Sequence, residues 1–244
     1  MVHAEDDEYL PWHPVGPGVF VAQVPSLKLN VAAVAGRDGF ALVDTGSFER
    51  ETAALLDGLA AVLGEHGLPF RALAVVNTHG HFDHCYGNAE VLRRFPDAEV
   101  VGHRDLPDYL SVWGEEGRAD AVRFGMPAAD MAAVRIVPPA RLVGAGERTV
   151  LDVGGVTAQV VAPGRGHTGC DVVVHVPDAG VLLAGDLLEE SDLPSYGPDS
   201  FPGEWPATLE RVLELPAEVI VPGHGRVVGP GFAAEQLEYV RSRG

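Results

Sequence analysis

Short apolar runs alternate with amphipathic stretches along most of this chain. Residues 18 to 24 (GVFVAQV), 30 to 36 (NVAAVAG) and 40 to 44 (FALVD) are apolar and bounded by turn formers, which predicts three successive strands. The period then changes, because ERETAALLDGLAAVLG places Leu55, Leu56, Leu59, Val62 and Leu63 on one helical face. RALAVVN reads as a strand, NAEVLRRF as a helix and AEVVGH as another strand, an α/β pattern. Residues 104 to 134 break this rhythm. There Leu106, Tyr109, Leu110, Trp113, Phe124 and Met126 are interleaved with charges and glycines, predicting short helices over the core. RTVLDV, VTAQVVA, DVVVHV and VLLAGD follow as strands, the last two joined across PDAG in a hairpin. PATLERVLEL starts with Pro206 at a first helical position and carries Leu209, Val212 and Leu213 as an apolar stripe. AEVIVPGHG is a final strand and FAAEQLEYVRSR a closing helix. No linker or short-period repeat interrupts this order, so the expectation is one domain over residues 1 to 244, with 105 to 135 as a helical segment over the active site.

Composition narrows the class. A chain of 244 residues with 46% hydrophobic content can bury a large core. The formal net charge is -18, and the 17 Lys and Arg residues are scattered, which argues against a nucleic-acid partner. The start, MVHAEDDEYLPWHP, is acidic and broken by proline, unlike a secretory signal, and no apolar run approaches a membrane span. A cytoplasmic protein acting on a small molecule, with no membrane partner, is the expectation. Cys85 and Cys170 each lie close to a histidine of interest and read as small buried residues rather than a disulfide.

The chemistry concentrates in VVNTHGHFDHCYGN, residues 75 to 88. His79 and His81 are two apart, so in an extended segment both rings project from one face and can meet one ion. Asp83 and His84 follow where the chain must turn, and can swing toward a second ion beside the first. Imidazole nitrogen and carboxylate oxygen are donors that zinc accepts. Three further candidates stand in the same structural position, just after an apolar strand: His167, Asp186 and His224.

THGHFDH, GRGHT, LLAGD and PGHG, in that order, resemble the motifs of the metallo-β-lactamase superfamily, and VDTG at residues 43 to 46 resembles its usual early strand and turn. The resemblance spans roughly residues 15 to 230. It implies a four-layer αβ/βα sandwich, two mixed sheets packed face to face with helices outside and metals at one edge. It assigns His79, His81 and His167 to one ion, Asp83, His84 and His224 to the other, and Asp186 to a bridge between them. The implied cofactor is two Zn2+ per chain, with iron or manganese acceptable to the same donors. Two such ions about 3.5 to 4 Å apart lower the pKa of a bridging water toward roughly 7, and hydroxide attack on a carbonyl or phosphoryl centre follows. Asp83, a ligand at the reacting centre, is counted as catalytic too. Two divalent ions, two carboxylates and one hydroxide sum to about +1, which suits an electron-rich or anionic substrate group.

Departures from relatives narrow the reading. Asp186 stands where the best-known zinc β-lactamases have cysteine, although PGRGHTG resembles their PGxGHT segment. His81 stands where flavodiiron-type members have glutamate, which favours zinc and hydrolysis. Glyoxalase II-like thioesterases resemble the chain at Asp186 but add a glutathione-gripping C-terminal segment, for which the stretch after His224 is short. The expectation is a zinc-dependent hydrolase of an ester, thioester, lactone or amide. The alternatives are a mononuclear iron sulfur dioxygenase like the persulfide dioxygenases, and a β-lactam hydrolase.

The segment 104 to 134 and the loop LLEESDLPSYGPDSFPGEW after Asp186 are expected to wall the pocket. Trp113, Phe124, Phe201 and Trp205, with Met126, are candidates for substrate contact, against the plainer role of anchoring loops. Tyr196 is a candidate catalytic phenol that donates to an oxyanion or leaving group, or else pins its loop. Arg165 is a candidate carboxylate clamp, or the partner of a surface acid. Asp44 reads as a turn residue behind the ligands, and His103 as a rim or structural residue. His3, His13, His66 and His175 carry no motif.

Overall fold

The computed structural model describes residues 11–243, so His3 and the acidic start of the chain lie outside the described residues. The chain runs β1 (Trp12–Gly16), β2 (Val19–Val24), β3 (Leu29–Gly36), β4 (Gly39–Val43), α1 (Glu49–Glu65) and β5 (Ala72–Val76). It continues α2 (Phe82–Cys85), α3 (Asn88–Arg94), β6 (Glu99–His103), α4 (Leu106–Arg123), α5 (Ala128–Ala133) and β7 (Arg141–Val143). The second half is β8 (Arg148–Asp152), β9 (Thr157–Val161), β10 (Val173–Val176), β11 (Val181–Glu189), α6 (Trp205–Leu213), β12 (Val219–His224) and α7 (Pro230–Arg241).

The strands form two mixed sheets. One runs β1-β2-β3-β4-β5-β6-β7 and the other β12-β11-β10-β9-β8. A single backbone pairing, His224 with Leu29, joins them at one edge. Their inner faces meet in one core, where Val34, Val43 and Val76 pack with Val160, Val174 and Leu183. The outer face of the first sheet is sealed by Leu55, Leu59 and Leu63 of α1, and that of the second by Leu209 and Val212 of α6 and Leu237 and Val240 of α7. This is the four-layer αβ/βα sandwich, and the alternating burial of β9 fits a sheet with one face in the core. The hairpin across PDAG is present, with Val176 opposite Val181 and Gly180 in the left-handed region that closes the turn.

Three local expectations change. Residues 106 to 123 form one 18-residue helix instead of several short ones. Its glycines are there for close approach: a Cβ on Gly117 would come within 2.7 Å of the Tyr86 hydroxyl, and one on Gly114 within 2.9 Å of Ile136 Cδ1. The His79–His81 segment is a loop leading into the one-turn helix α2, and no strand. Strands β1 and β7 went unpredicted because Pro14 interrupts the first and the second is three residues long. No helix among the described residues is long and apolar enough to cross a membrane.

Helix α4 is pinned by the buried Tyr86, whose hydroxyl donates to the Gly114 carbonyl at 2.6 Å. Tyr86→Phe is expected to lower stability by about 1 kcal/mol. Urea denaturation should register that loss, and hydrogen exchange should quicken in α4 while the sheets stay protected.

Candidate metal centre

Strand ends at the edge where the sheets join deliver the candidate ligands. The loop after β5 carries His79 and His81, α2 carries Asp83 and His84, and His167 sits before β10. β11 and β12 run parallel, and their register slips between Gly185 and Glu189. That irregularity turns Asp186 toward His224. Gly185 is required here: its φ is +54°, and a Cβ would meet the Thr78 side chain at 2.8 Å. Gly223 is required by crowding, because its Cβ would collide with Asp186 Oδ1.

Two groups of donors result, and they share Asp186 through space. Ligand atoms of His79, His81, His167 and Asp186 all lie within 4.8 Å of one another, as do those of Asp83, His84 and His224. His81 Nδ1 stands 2.9 Å from His167 Nε2, and His84 Nε2 stands 3.3 Å from His224 Nε2. Asp186 Oδ2 is 3.4 Å from both His167 Nε2 and His224 Nε2, while its Oδ1 is 3.2 Å from His84 Nε2. Asp83 Oδ2 is 3.3 Å from His224 Nε2. His79 Nε2 and Asp186 Oδ1 are buried without a hydrogen-bond partner. An orphaned buried donor or acceptor is costly, so these atoms fit ligands aimed at a cation.

The outward nitrogens of four of the histidines are held in place. Asp44 takes φ +63° and accepts from Thr78 N, Thr78 Oγ1 and His84 Nδ1, each at 2.8 Å. His79 Nδ1 lies 3.1 Å from the same Thr78 Oγ1, and as donor there it leaves Nε2 bare for an ion. His224 Nδ1 donates to the Leu27 carbonyl at 2.9 Å. His81 is turned the other way: its Nε2 donates to Asp199 at 3.0 Å, and the Tyr109 hydroxyl donates to the same carboxylate oxygen at 2.7 Å. Asp44 is therefore the positioning residue behind the ligands that its sequence position suggested. Asp199 and Tyr109 were missed as functional residues, since 118 residues separate Asp199 from His81 and no local motif links them.

Electrostatics follow this geometry. Burial lowers His79, and it lowers His167 to about 4, so both favour the neutral, ligating form. Burial would lower His224 as well, but Asp186 and Asp83 beside it raise it to about 9. Burial would raise Asp186, and the surrounding His84, His224, His79 and His167 instead hold it well below the usual carboxylate range. Asp199, which burial would raise, is lowered to about 2 by the bonds from His81 and Tyr109.

A cavity of 690 Å³ opens above the centre. Trp113 and Phe124 line it, as do Leu27, Phe82, Tyr109 and Leu193. Arg165, Tyr196, Phe201 and Trp205 do not line it. Arg165 is exposed, pairs with Glu204 and lies over the Phe201 ring, with its guanidinium carbon 4.2 Å from the centroid. Trp205 is fully buried and donates from Nε1 to the Leu187 carbonyl, and Tyr196 packs against it with ring centroids 5.3 Å apart. Trp205 anchors the loop by packing into the outer layer of the second sheet, with the His167 ring 5.8 Å away on another side. Met126 is likewise core, packed with the free and buried Cys85 and Cys170. His103 is buried and accepts from Asp105 N, off the cavity. Glu189 was another omission: it lines the cavity, within 4.8 Å of the Asp186 and His224 ligand atoms.

A sandwich with a histidine and aspartate centre at the junction of its sheets is the architecture of a metallo-hydrolase. Residues 28–224 match the family model of the metallo-beta-lactamase superfamily, and the chain belongs to that superfamily. It is 26% identical over 242 residues to "Acyl-coenzyme A thioesterase MBLAC2" of Bos taurus, which covers 91% of this chain and 82% of that one. It is 29% identical over 97 residues to "Metallo-beta-lactamase type 2" of Bacillus sp. (strain 170), and this match spans only 38% of either chain. The solved DIM-1 metallo-beta-lactamase has the same fold, with a TM-score of 0.73, 18% identity and coverage of 97% of this chain and 99% of that one.

Two outcomes are expected. Asp186 and Asp83 raise His224 to about 9 and, with Asp44, hold His84 well above the usual imidazole range, so metal uptake should displace protons from these rings and affinity should rise with pH above neutrality. Calorimetry in buffers of different ionisation enthalpy measures the release. Asp199→Asn should weaken binding at the His81 group about 10- to 100-fold and spare the group containing His84. Chelator competition distinguishes the two steps, and equal loss at both would refute the role given to Asp199.

Proposed function

We propose that the chain is a hydrolase that holds two zinc ions and cleaves the acyl bond of a small ester, thioester, lactone or amide. The observation that carries this reading is the pair of complete donor groups meeting at Asp186 beneath the cavity. Nitrogen and carboxylate donors without thiolate suit zinc, and two complete groups favour two ions over the single iron of a dioxygenase. When bound, such a pair supplies activated water near neutral pH and polarises the substrate's acyl oxygen.

The chain's own residues supply the rest. Asp186 and Asp83 offset cationic charge at the reacting centre, and Asp44, Thr78 and Asp199 fix the ring orientation of His84, His79 and His81. Leu27, Phe82, Trp113 and Phe124 offer apolar surface to the acyl portion and exclude water from it. The relative named as an acyl-coenzyme A thioesterase, aligned over 91% of this chain, supports an acyl substrate more than the 38% match to a β-lactamase supports a lactam.

Metal analysis of protein prepared without added metal, followed by removal and re-addition during hydrolysis assays, tests the proposal. Close to two zinc ions per chain is expected, with ester or thioester hydrolysis that disappears and returns with metal. Asp186→Ala should abolish both. One iron per chain with oxygen uptake on thiol substrates would overturn it.

A further inference from the structure

Given the hydrolase reading, the cavity's walls indicate which acyl compounds it admits. The cavity is a ligand site independently of its charge, since the candidate ligands His81, Asp83, His167, Asp186 and His224 form its floor beneath aromatic walls. One face of α4 forms a wall, with Tyr109, Trp113, Glu116, Asp120 and Phe124 all lining the cavity. Their spacing is that of a single helical stripe. At 1.5 Å per residue, Glu116 and Asp120 lie about 10 and 16 Å along the axis beyond Tyr109. From the Tyr109 end the stripe is two aromatic residues, two acidic residues and a further aromatic, Phe124, which stacks on Phe82. Asp192, from the loop after β11, faces the same space.

No lysine or arginine lines the cavity among the described residues. The neighbouring guanidiniums are engaged elsewhere: Arg118 with Glu115 and with the Met131 and Val134 carbonyls, Arg165 with Glu204, Arg226 with Glu190. Arg123 pairs with Asp120 from outside the cavity lining. Glu116 and Asp192 are exposed and make no ion pair among the described residues. The centre's own charge of about +1, with both ions and a hydroxide present, is outweighed by Asp199, Glu116 and Asp192 around it, Asp120 being offset by Arg123. An anionic substrate group, which the ligand charges alone would favour, is thus disfavoured beyond the reacting carbonyl.

We infer that this site selects acyl esters or thioesters that carry an ammonium group beyond the scissile bond and rejects polyanionic ones. The faces of Trp113 and Phe124 attract such a cation, and Glu116 and Asp192 draw it in. The phosphates of a coenzyme A thioester would meet the same carboxylates, and no lysine or arginine of the lining is there to pair with them.

Three thioesters with one acyl group and different thiols provide the test: thiocholine, N-acetylcysteamine and coenzyme A, assayed with zinc-loaded protein. The expected order of kcat/KM is cationic, neutral, polyanionic, with about tenfold or more between the extremes at low salt. Raising ionic strength to about 0.5 M should shrink that ratio, and Glu116→Gln combined with Asp192→Asn should shrink it about threefold. Calorimetric binding of the matching non-cleavable thioethers should give the same order without turnover. Absence of hydrolysis with the binding order retained would count against the hydrolase proposal alone. A coenzyme A compound equal to or better than the neutral one in both assays would overturn the inference, as would a preference unmoved by salt and by the paired substitution.

Discussion

A buried carboxylate surrounded by imidazoles organises this protein. Asp186 sits deep at the junction of the two sheets, and an ionised carboxyl there is tolerable only because His79, His84, His167 and His224 face it within 3.8 Å. The imidazoles in turn cannot all be charged so close together. The arrangement is stable as a set of neutral nitrogens and anionic oxygens around cations, and the orphaned His79 Nε2 marks the same requirement from the other side.

The sandwich exists to bring those side chains together. Each sheet delivers candidate ligands from its strand ends, and the one strand pairing between the sheets, His224 with Leu29, lies at the centre. Asp44 and Gly185 adopt left-handed conformations, the first to aim its carboxylate at His84 and Thr78, the second to let β11 pass the Thr78 side chain. Helix α4 and the loop after β11 close over the centre, and Tyr109 and Asp199 tie both to His81. Access and ligand geometry are thereby linked in one hydrogen-bonded chain.

Part of the protein's acidity lies at the cavity. A net charge of -18 can be a solvated surface and nothing more. Here carboxylates also line the cavity above the candidate metal ligands, and of Glu116, Asp120 and Asp192 only Asp120 is in an ion pair, with Arg123, among the described residues. Under the proposed function, that local charge is opposite in sign to the charge of a metal-loaded centre, so a reacting carbonyl and the rest of its substrate would experience different selection.

The sequence by itself determined the layers and the ligands. Hydrophobic period distinguishes strand from helix over long stretches, and His79, His81, Asp83, His84, His167, Asp186 and His224 are visible because each follows an apolar strand within a short motif. Local pattern carries no information on contacts between distant segments. Whether the aromatic residues of the loop after Asp186 turn inward or outward depends on packing against α6 and α7, and the structure turns Tyr196 and Trp205 away from the cavity. Asp199 and Tyr109 acquire their role only when the loop after β11 meets α4, 90 residues apart in the chain. The glycines of α4 read as helix breakers until Tyr86 is placed against them. Tertiary structure decided these points because a side chain's environment, unlike its periodicity, is made by residues that the local sequence does not contain.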